Sequence, residues 1–352
     1  RDILALEFKD LLEIDLKLDL TFDLTITGFS SPEIDALVTS SDTEEADMDD
    51  ALPGPAQRRA AVSRLGDLWS LGEHRIICGN ARERSTYEAL MGEDRAAMGI
   101  HDAPYNVSIP KHVSKSGKHP EFVMGVGELS VPEFTTFNTD WLMMASAFSQ
   151  LGAIQYAFMD WRHMGEMLEA GRTAGLELKN LAVWNKGVGG MGSLLRSQHE
   201  LVFMFKEPSA PHINNVQLGK FGRNRTNVWD YPGAASLREE LELHPTPKPV
   251  ALVADAIRDV SNRNDLVLDA FSGSGTTIIA AASTGRRARV IELDPYYVDV
   301  AIRRWEAWSG ERARHMETGL SFAELEERRG EGPAEAAAES TPASADVRVR
   351  KR

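Results

Sequence analysis

The sequence predicts an α/β protein built on a mostly parallel sheet with helices on both faces. Three observations carry that expectation: a buried-looking strand that runs into a glycine loop and a helix, a second strand about twenty residues later that ends in carboxylates, and apolar periodicity alternating between strand and helix lengths from residue 65 to 310.

The strand, loop and helix are Asp265-Leu266-Val267-Leu268-Asp269-Ala270-Phe271-Ser272-Gly273-Ser274-Gly275-Thr276-Thr277, continuing into Ile278. Glycine suits such a loop because the backbone must turn tightly and approach a ligand closely at the carboxyl edge of the sheet. The Gly-Lys-Ser/Thr ending of a Walker phosphate loop is missing. The second strand, Arg289-Val290-Ile291-Glu292-Leu293-Asp294, ends in acids placed to accept hydrogen bonds from ribose hydroxyls. Taken alone, this unit suits a dinucleotide dehydrogenase and a methyltransferase equally.

Composition bounds the rest. With 352 residues, 42% hydrophobic and 26% charged, the chain can bury a sizeable core. It has no apolar run of the roughly 18 to 20 residues that a membrane helix needs and no secretory leader pattern, so a cytoplasmic location without membrane contact is expected. The single cysteine, Cys78, excludes an internal disulfide framework and a cysteine-cluster metal site, and no metal is expected. The net charge of -14 argues against a nucleic-acid partner until its distribution is considered. Residues 1–60 hold 15 Asp/Glu against 5 Lys/Arg, whereas residues 181–230 hold 6 Lys/Arg against 3 Asp/Glu.

Along the chain, residues 1–38 read as a truncated module, and the start at Arg1 as a cut edge. Residues 39–60 are acidic and proline-bearing, as expected of a disordered linker. Residues 61–325 form the main domain, with an insertion at about 181–235, and residues 326–352 read as a disordered tail.

Upstream of the glycine loop lies Met98-Gly99-Ile100-His101-Asp102-Ala103-Pro104-Tyr105-Asn106-Val107. An exocyclic amine conjugated to its ring is a poor nucleophile, so catalysis on it needs acceptors for its N–H groups. Asp102 and the carbonyl of Ala103 supply them. A base taken out of its stack also needs an aromatic platform, and Tyr105 is the candidate. In isolation Asp-Ala-Pro-Tyr is more often an ordinary turn. In context it resembles the Asp-Pro-Pro-Tyr motif of the amino-group DNA methyltransferases. Its position before the glycine loop resembles their beta class, with permuted motif order.

That resemblance implies a Rossmann-like methyltransferase fold with seven strands, S-adenosylmethionine as cofactor, and double-stranded DNA as substrate in a bacterial or phage-encoded restriction-modification setting. The catalytic set is then Asp102, Ala103, Pro104 and Tyr105. Residues 64–80 resemble the family's entry strand and put Cys78 and Asn80 in the cofactor pocket, with Asn80 standing where Asp is usual. His244-Pro245-Thr246-Pro247-Lys248-Pro249 resembles the motif that seats the methionine portion, through Thr246 and Lys248. The bland reading of Lys248 is a solvated lysine at a helix start. Asp102, Asp269, Phe271, Gly273, Gly275, Thr276, Thr277, Glu292 and Asp294 complete the implied cofactor set. The middle stretch resembles the subgroup that follows a ParB-like nuclease-type domain, of which residues 1–38 would be the end. It is rich in Lys, Arg, Asn, Gln and Gly, and offers Lys186, Arg196, Lys220, Arg223 and Arg225 as DNA contacts.

In the family this chain resembles, Asp at the motif's first position is more typical of adenine enzymes and Ser of cytosine-amino enzymes, so the resemblance implies adenine N6 over cytosine N4. Ala103 departs from the family's proline and frees a backbone angle beside the reacting amine. A remnant that binds DNA or cofactor without turnover is therefore the leading alternative, and a methyltransferase acting on RNA or protein is another. Recognition sequence and oligomeric state, monomer or homodimer, are left open.

Overall fold

Ten strands form one mixed sheet in the computed structural model, which describes residues 7–8, 11, 24–39, 60–107, 127–190, 194–220, 223–233 and 248–330. The strands are β1 (Leu68–Leu71), β2 (His74–Cys78), β3 (Ala96–His101), β4 (Ser149–Met159), β5 (Glu177–Asn185), β6 (His199–Lys206), β7 (Val228–Asp230), β8 (Leu266–Asp269), β9 (Arg287–Glu292) and β10 (Arg314–His315). Their order across the sheet is β10-β1-β2-β9-β8-β3-β4-β6-β5-β7. The five central strands, β2 to β4 in that order, are mutually parallel, and β6 runs antiparallel to both its neighbours. The seven strands from β2 to β5 correspond to the expected sheet. The β1–β2 hairpin, with β10 beside it, widens one edge, and β7 widens the other.

Every residue of β3 and β8 is buried, which is why both read as continuous apolar runs rather than alternating ones. One apolar cluster joins the sheet to helices α5 (Val250–Val260), α6 (Thr276–Ser283), α7 (Pro295–Ser309) and α8 (Phe322–Gly330). A second joins it to α2 (Arg84–Met91), α3 (Val131–Ala147) and α4 (Met164–Thr173). The start of α3 is fixed locally: Ser130 and Glu133 form a capping box, and Pro132 sits in the first turn.

Two boundaries differ from expectation. The interval 181–235 is not a separate recognition insertion, because it contains the end of β5 and all of β6 and β7. The tail reading fails for residues 326–330, which belong to α8. There Arg329 binds Asp67 at 2.5 Å, and Glu326 binds Arg303 at 2.9 Å. Residues 40–59 of the expected linker lie outside the described residues.

Helix α1 (Ser31–Thr39) meets the body of the protein at the end of the sheet opposite the carboxyl edge. Asp35 is buried there between Arg263 (2.9 Å) and the fully buried Arg286 (2.8 Å). Both arginines lie in turns that lead into β8 and β9.

Candidate active site

The chain leaves β8 through α6 to β9 on one side, and leaves β3 through α3 to β4 on the other. Strand order therefore reverses between β8 and β3, which pair directly through Met98–Val267 and Gly99–Leu268. A crevice opens at such a switch point, outside the carboxyl ends of the strands. The two loops singled out from sequence, 102–107 and 270–275, both emerge into it.

Past β3, Asp102 is the accessible member of a five-residue polar network. The Lys248 ammonium lies 2.7 Å from its Oδ2, 3.2 Å from Glu200 Oε2 and 3.1 Å from the Tyr105 hydroxyl oxygen. That hydroxyl is 2.7 Å from Asp102 Oδ1 and 2.8 Å from Glu200 Oε2, and its one proton serves either carboxylate. Lys186 closes the network at 3.0 Å from Glu200 Oε1. The side chains of Lys248 and Glu200 are 10% and 14% exposed, against 28% for Lys186 and 35% for Asp102, so of the two carboxylates Asp102 is the one that a ligand can reach.

Electrostatics fix the protonation states. Burial raises the Glu200 carboxyl, but the Lys248 and Lys186 charges outweigh it and hold the group down at about 2. Burial opposes the Lys248 charge, yet Asp102 and Glu200 push its pKa above the ordinary lysine value. Tyr105 is driven well above the usual phenol range, first by burial and then by the two carboxylates, so it remains a donor. Lys248 is therefore a buried ion-pair partner of Asp102, not a solvated helix-start lysine.

Behind this network, Asn106 takes a positive φ of 55° and staples the segment after residue 126 back onto the motif. Its Oδ1 accepts from Gly127 N and Leu129 N, and its Nδ2 donates to Leu129 O. His101 is fully buried; its Nδ1 accepts from Ala270 N at 3.1 Å, and its Nε2 donates to Gln155 Oε1 at 3.0 Å. Burial lowers its pKa to about 4, so it is neutral and ties the ends of β3 and β8 to the interior of β4. Gly99, which weakens the strand on paper, is required here. A Cβ at that position would lie 2.0 Å from Gln155 Oε1 and 2.3 Å from His101 Nε2. Ala103 is buried and Pro104 half-buried beside this support.

Across the crevice, Gly273 (φ 52°) and Gly275 (φ 83°) turn the loop into α6 in a conformation that favours glycine. Asp269 accepts from Thr277 Oγ1 (2.5 Å) and Phe271 N (2.9 Å), and burial raises it to about 7. Glu292, at the end of β9, accepts from Gly273 N (2.8 Å) and Asp294 N (2.9 Å), and burial raises it also to about 7. Each Glu292 oxygen accepts one of these bonds, so lone pairs remain for a diol. The Ser272 Oγ is buried with no hydrogen-bond partner among the described residues. The half-buried Phe271 ring meets Trp141 edge-on. Asp102, Asp269 and Glu292 converge on this loop, and their charges would repel a pyrophosphate and favour a cationic nucleoside. The residues thus fit S-adenosylmethionine better than a dinucleotide.

Other members of the expected cofactor set have structural partners. Thr276 Oγ1 accepts from the buried Arg304, Asp294 caps α7 by accepting from Tyr296 N, and Asn80 accepts from Arg82 N and donates to Glu83. Cys78 is buried beside Glu292 in register, and burial pushes its thiol up to about 12. Thr246 lies outside the described residues.

Among the expected DNA contacts, Arg223 and Arg225 require correction. Arg225 lies 3.0 Å from Asp255 and 2.7 Å from Asp259, and Arg223 lies 2.5 Å from Asp259, both acids being on α5. Their guanidinium groups staple the chain to the domain body and are largely shielded from any polyanion. Lys186 belongs to the network around Asp102 and pairs with Glu200. Arg196 and Lys220 are exposed.

Glu200, Asn106, His101 and Gln155 are absent from the sequence-derived set. A carboxylate next to His199 at a strand start, and an Asn directly after the aromatic of the motif, are weak local signals. Only the fold shows what they touch.

The family described as DNA methylase matches residues 97–303, which contain both loops and the whole network except for flanking structure. The chain belongs to this DNA methylase family. A ParB-methyltransferase HTH domain matches residues 2–65, so the amino-terminal similarity is to a helix-turn-helix module rather than to the expected nuclease-type one, and it extends across the acidic stretch. The methylase is 37% identical over 120 residues to the DNA adenine methyltransferase YhdJ of Escherichia coli, covering 34% of this chain and 38% of that relative. It is 24% identical over 257 residues to the type II methyltransferase M.HpaI of Haemophilus parainfluenzae, covering 67% of this chain and 75% of that relative. The chain spans between a third and two fifths of the length of the first curated relatives it matches. Among solved structures, the cytosine-N4-specific PvuII DNA methyltransferase shares the fold of the methylase, with a TM-score of 0.51 at 14% identity over 72% of this chain and 89% of that one.

Proposed function

We propose that this methylase transfers a methyl group from S-adenosylmethionine to the exocyclic amine of a base flipped out of double-stranded DNA, adenine N6 in particular. The observation that carries the reading is the meeting of Asp102, the one accessible carboxylate of its network, with the glycine loop after β8 across the switch point. Glu292 and Asp269 would hold the nucleoside part, with Phe271 beside it. The bound cofactor supplies an electrophilic methyl on a sulfonium.

In this reading, the Asp102 carboxylate and the Ala103 carbonyl accept hydrogen bonds from the target amine and orient its lone pair, while Tyr105 provides the aromatic wall. As the amine takes the methyl and the cofactor is left as a neutral thioether, Asp102 would take the proton that the amine loses. Lys248 holds that carboxylate in place and Glu200 holds Lys248. Exposed Arg196 and Lys220 are the remaining phosphate-contact candidates, and the helix-turn-helix region would add contacts of its own.

The test is incubation of the protein with labelled S-adenosylmethionine and unmethylated genomic DNA, followed by digestion to nucleosides. Label in N6-methyladenine is the expected result, and label in N4-methylcytosine corrects the base alone. Cofactor binding with no label in DNA overturns the reading in favour of a binding-only remnant, for which Ala103 is the motivating departure.

A further inference from the structure

The connection between β5 and β6 is anchored in the active site and carries an apolar tip that stays exposed among the described residues. Strands β4 and β5 both run antiparallel to β6, and β3 is parallel to β4, so this loop leaves the sheet at the same edge as Asp102. Its stems are Lys186, directly after β5, and Glu200, the second residue of β6; they pair at 3.0 Å, and Glu200 reaches Tyr105.

Above the stems the loop is braced by its own backbone. Lys186 N donates to Gln198 O, Gly190 N to Ser197 O, and the Arg196 Nε to Gly190 O. On this base stand Leu194 and Leu195, at 92% and 81% the most exposed large hydrophobic side chains among the described residues, with Val188 at 52%. Adjacent leucines left in water at the mouth of a catalytic crevice are the kind of exposed apolar patch that marks an interaction surface. The exposed Arg196 beside them selects a partner that is apolar within and anionic without. A base stack inside its phosphate backbone has that character, and leucine is among the side chains that wedge between base steps.

We propose that Leu194 and Leu195 insert into the DNA duplex at the target position and fill the space that the flipped base vacates. The inference rests on the methyl-transfer reading above and adds a means of extruding the base. Unstacking and unpairing are easiest for a base that lacks a partner. A wedge is therefore needed on paired DNA and dispensable where the opposite position is empty.

The experiment compares the wild type with the double variant Leu194→Ser, Leu195→Ser. The substrates are a paired duplex carrying the site mapped from methylated genomic DNA and the same duplex with an abasic position opposite the target. Single-turnover methylation and 2-aminopurine fluorescence at the target are read for both. On paired DNA the variant is expected to lose about tenfold or more in rate together with the flipping signal, and to recover to within about twofold of wild type on the abasic duplex. Equal rates for the two proteins on paired DNA overturn the wedge, as does an equal loss on both substrates. Conversion of a wild-type dimer to a monomer in light scattering, without the substrate dependence, makes the loop a contact between copies and also overturns it. Wild-type activity on paired DNA separates the two ideas: without it the methyl-transfer reading falls, whereas with it and no variant effect only the wedge falls.

Discussion

Two ionic clusters in this chain are built from the same kinds of group and do different work. Each brings a tyrosine hydroxyl together with two carboxylates and several cations: Tyr105 with Asp102, Glu200, Lys186 and Lys248, and Tyr231 with Asp255, Asp259, Arg223, Arg225 and Arg258. In the second, Arg223, Arg225 and Tyr231 come from one segment, and Arg258 and both acids from α5, so the charges tie two elements together. In the first, the members arrive from the ends of β3 and β5, the start of β6 and the entry to α5, and they converge on the edge where the crevice opens. A cluster that gathers several elements around one accessible carboxylate is a site; one that joins two elements is a staple.

Removing the key member of each cluster should separate the roles most sharply. Asp102→Ala should reduce methyl transfer by about 10³-fold or more in single-turnover assays while leaving the thermal midpoint nearly unchanged. A loss of stability with normal turnover would make the first cluster a staple as well. Arg225→Ala should do the reverse, destabilising the fold by about 3–5 kcal/mol in denaturant titration because Asp259 is left buried with less compensation. The salt dependence of DNA binding should not change, since that side chain neutralises Asp255 and Asp259 rather than phosphate. A shallower salt slope would restore Arg225 as a DNA contact.

Glu200→Gln tests whether the inner carboxylate supports the outer one. A neutral amide still accepts from Lys248 but no longer attracts it, and turnover should fall by about 10²-fold with little change in cofactor affinity. The ionised Glu200 stabilises the fold above its unfolded pKa of 4.5, and that contribution is lost as pH falls toward about 2. The variant should therefore differ from wild type in stability at pH 7 and converge with it in strong acid, which circular dichroism across that range would show.

The carboxylates on the cofactor side behave oppositely. Asp269 and Glu292, both raised to about 7, make the folded state bind extra protons, so stability falls as pH rises from about 4 through 7. A cationic nucleoside would lower both values, and its binding near pH 7 should release protons. Calorimetry in buffers of different ionisation enthalpy measures this release; proton uptake, or no linkage, would remove both acids from the cofactor site.

The sequence carried much of this architecture where a local rule sufficed. The run Leu266-Val267-Leu268-Asp269 before two glycines can scarcely be other than a buried strand entering a ligand loop, and Asp102 beside Tyr105 was legible through its motif. What stayed hidden depends on partners far along the chain. Lys248 is 146 positions from Asp102, and nothing local distinguishes it from a surface lysine. Arg223 and Arg225 look like DNA contacts because basic residues in a polar loop usually face solvent, and only the packing of Asp255 and Asp259 beneath them shows otherwise. Gly99 reads as a flaw in a strand until His101 and Gln155 are seen to need its missing side chain.

The smallest effect concerns Ala103, the residue whose carbonyl faces the proposed amine. Its side chain is buried against the same apolar cluster that contains Ala270 and Leu268, and His101 already anchors the backbone two residues earlier. Proline would fix φ at about −65° and remove chain entropy, a change of about 0.4–1 kcal/mol where the native geometry permits it. Because most of the positioning comes from His101 behind and Asn106 ahead, Ala103→Pro should raise the single-turnover rate by no more than about fivefold, the equivalent of that free energy. No gain would mean that the His101 and Asn106 anchors already hold the carbonyl in place. A gain of several hundredfold would mean that the freed angle limits catalysis, and that the network around Asp102 holds its carboxylate but not the neighbouring carbonyl.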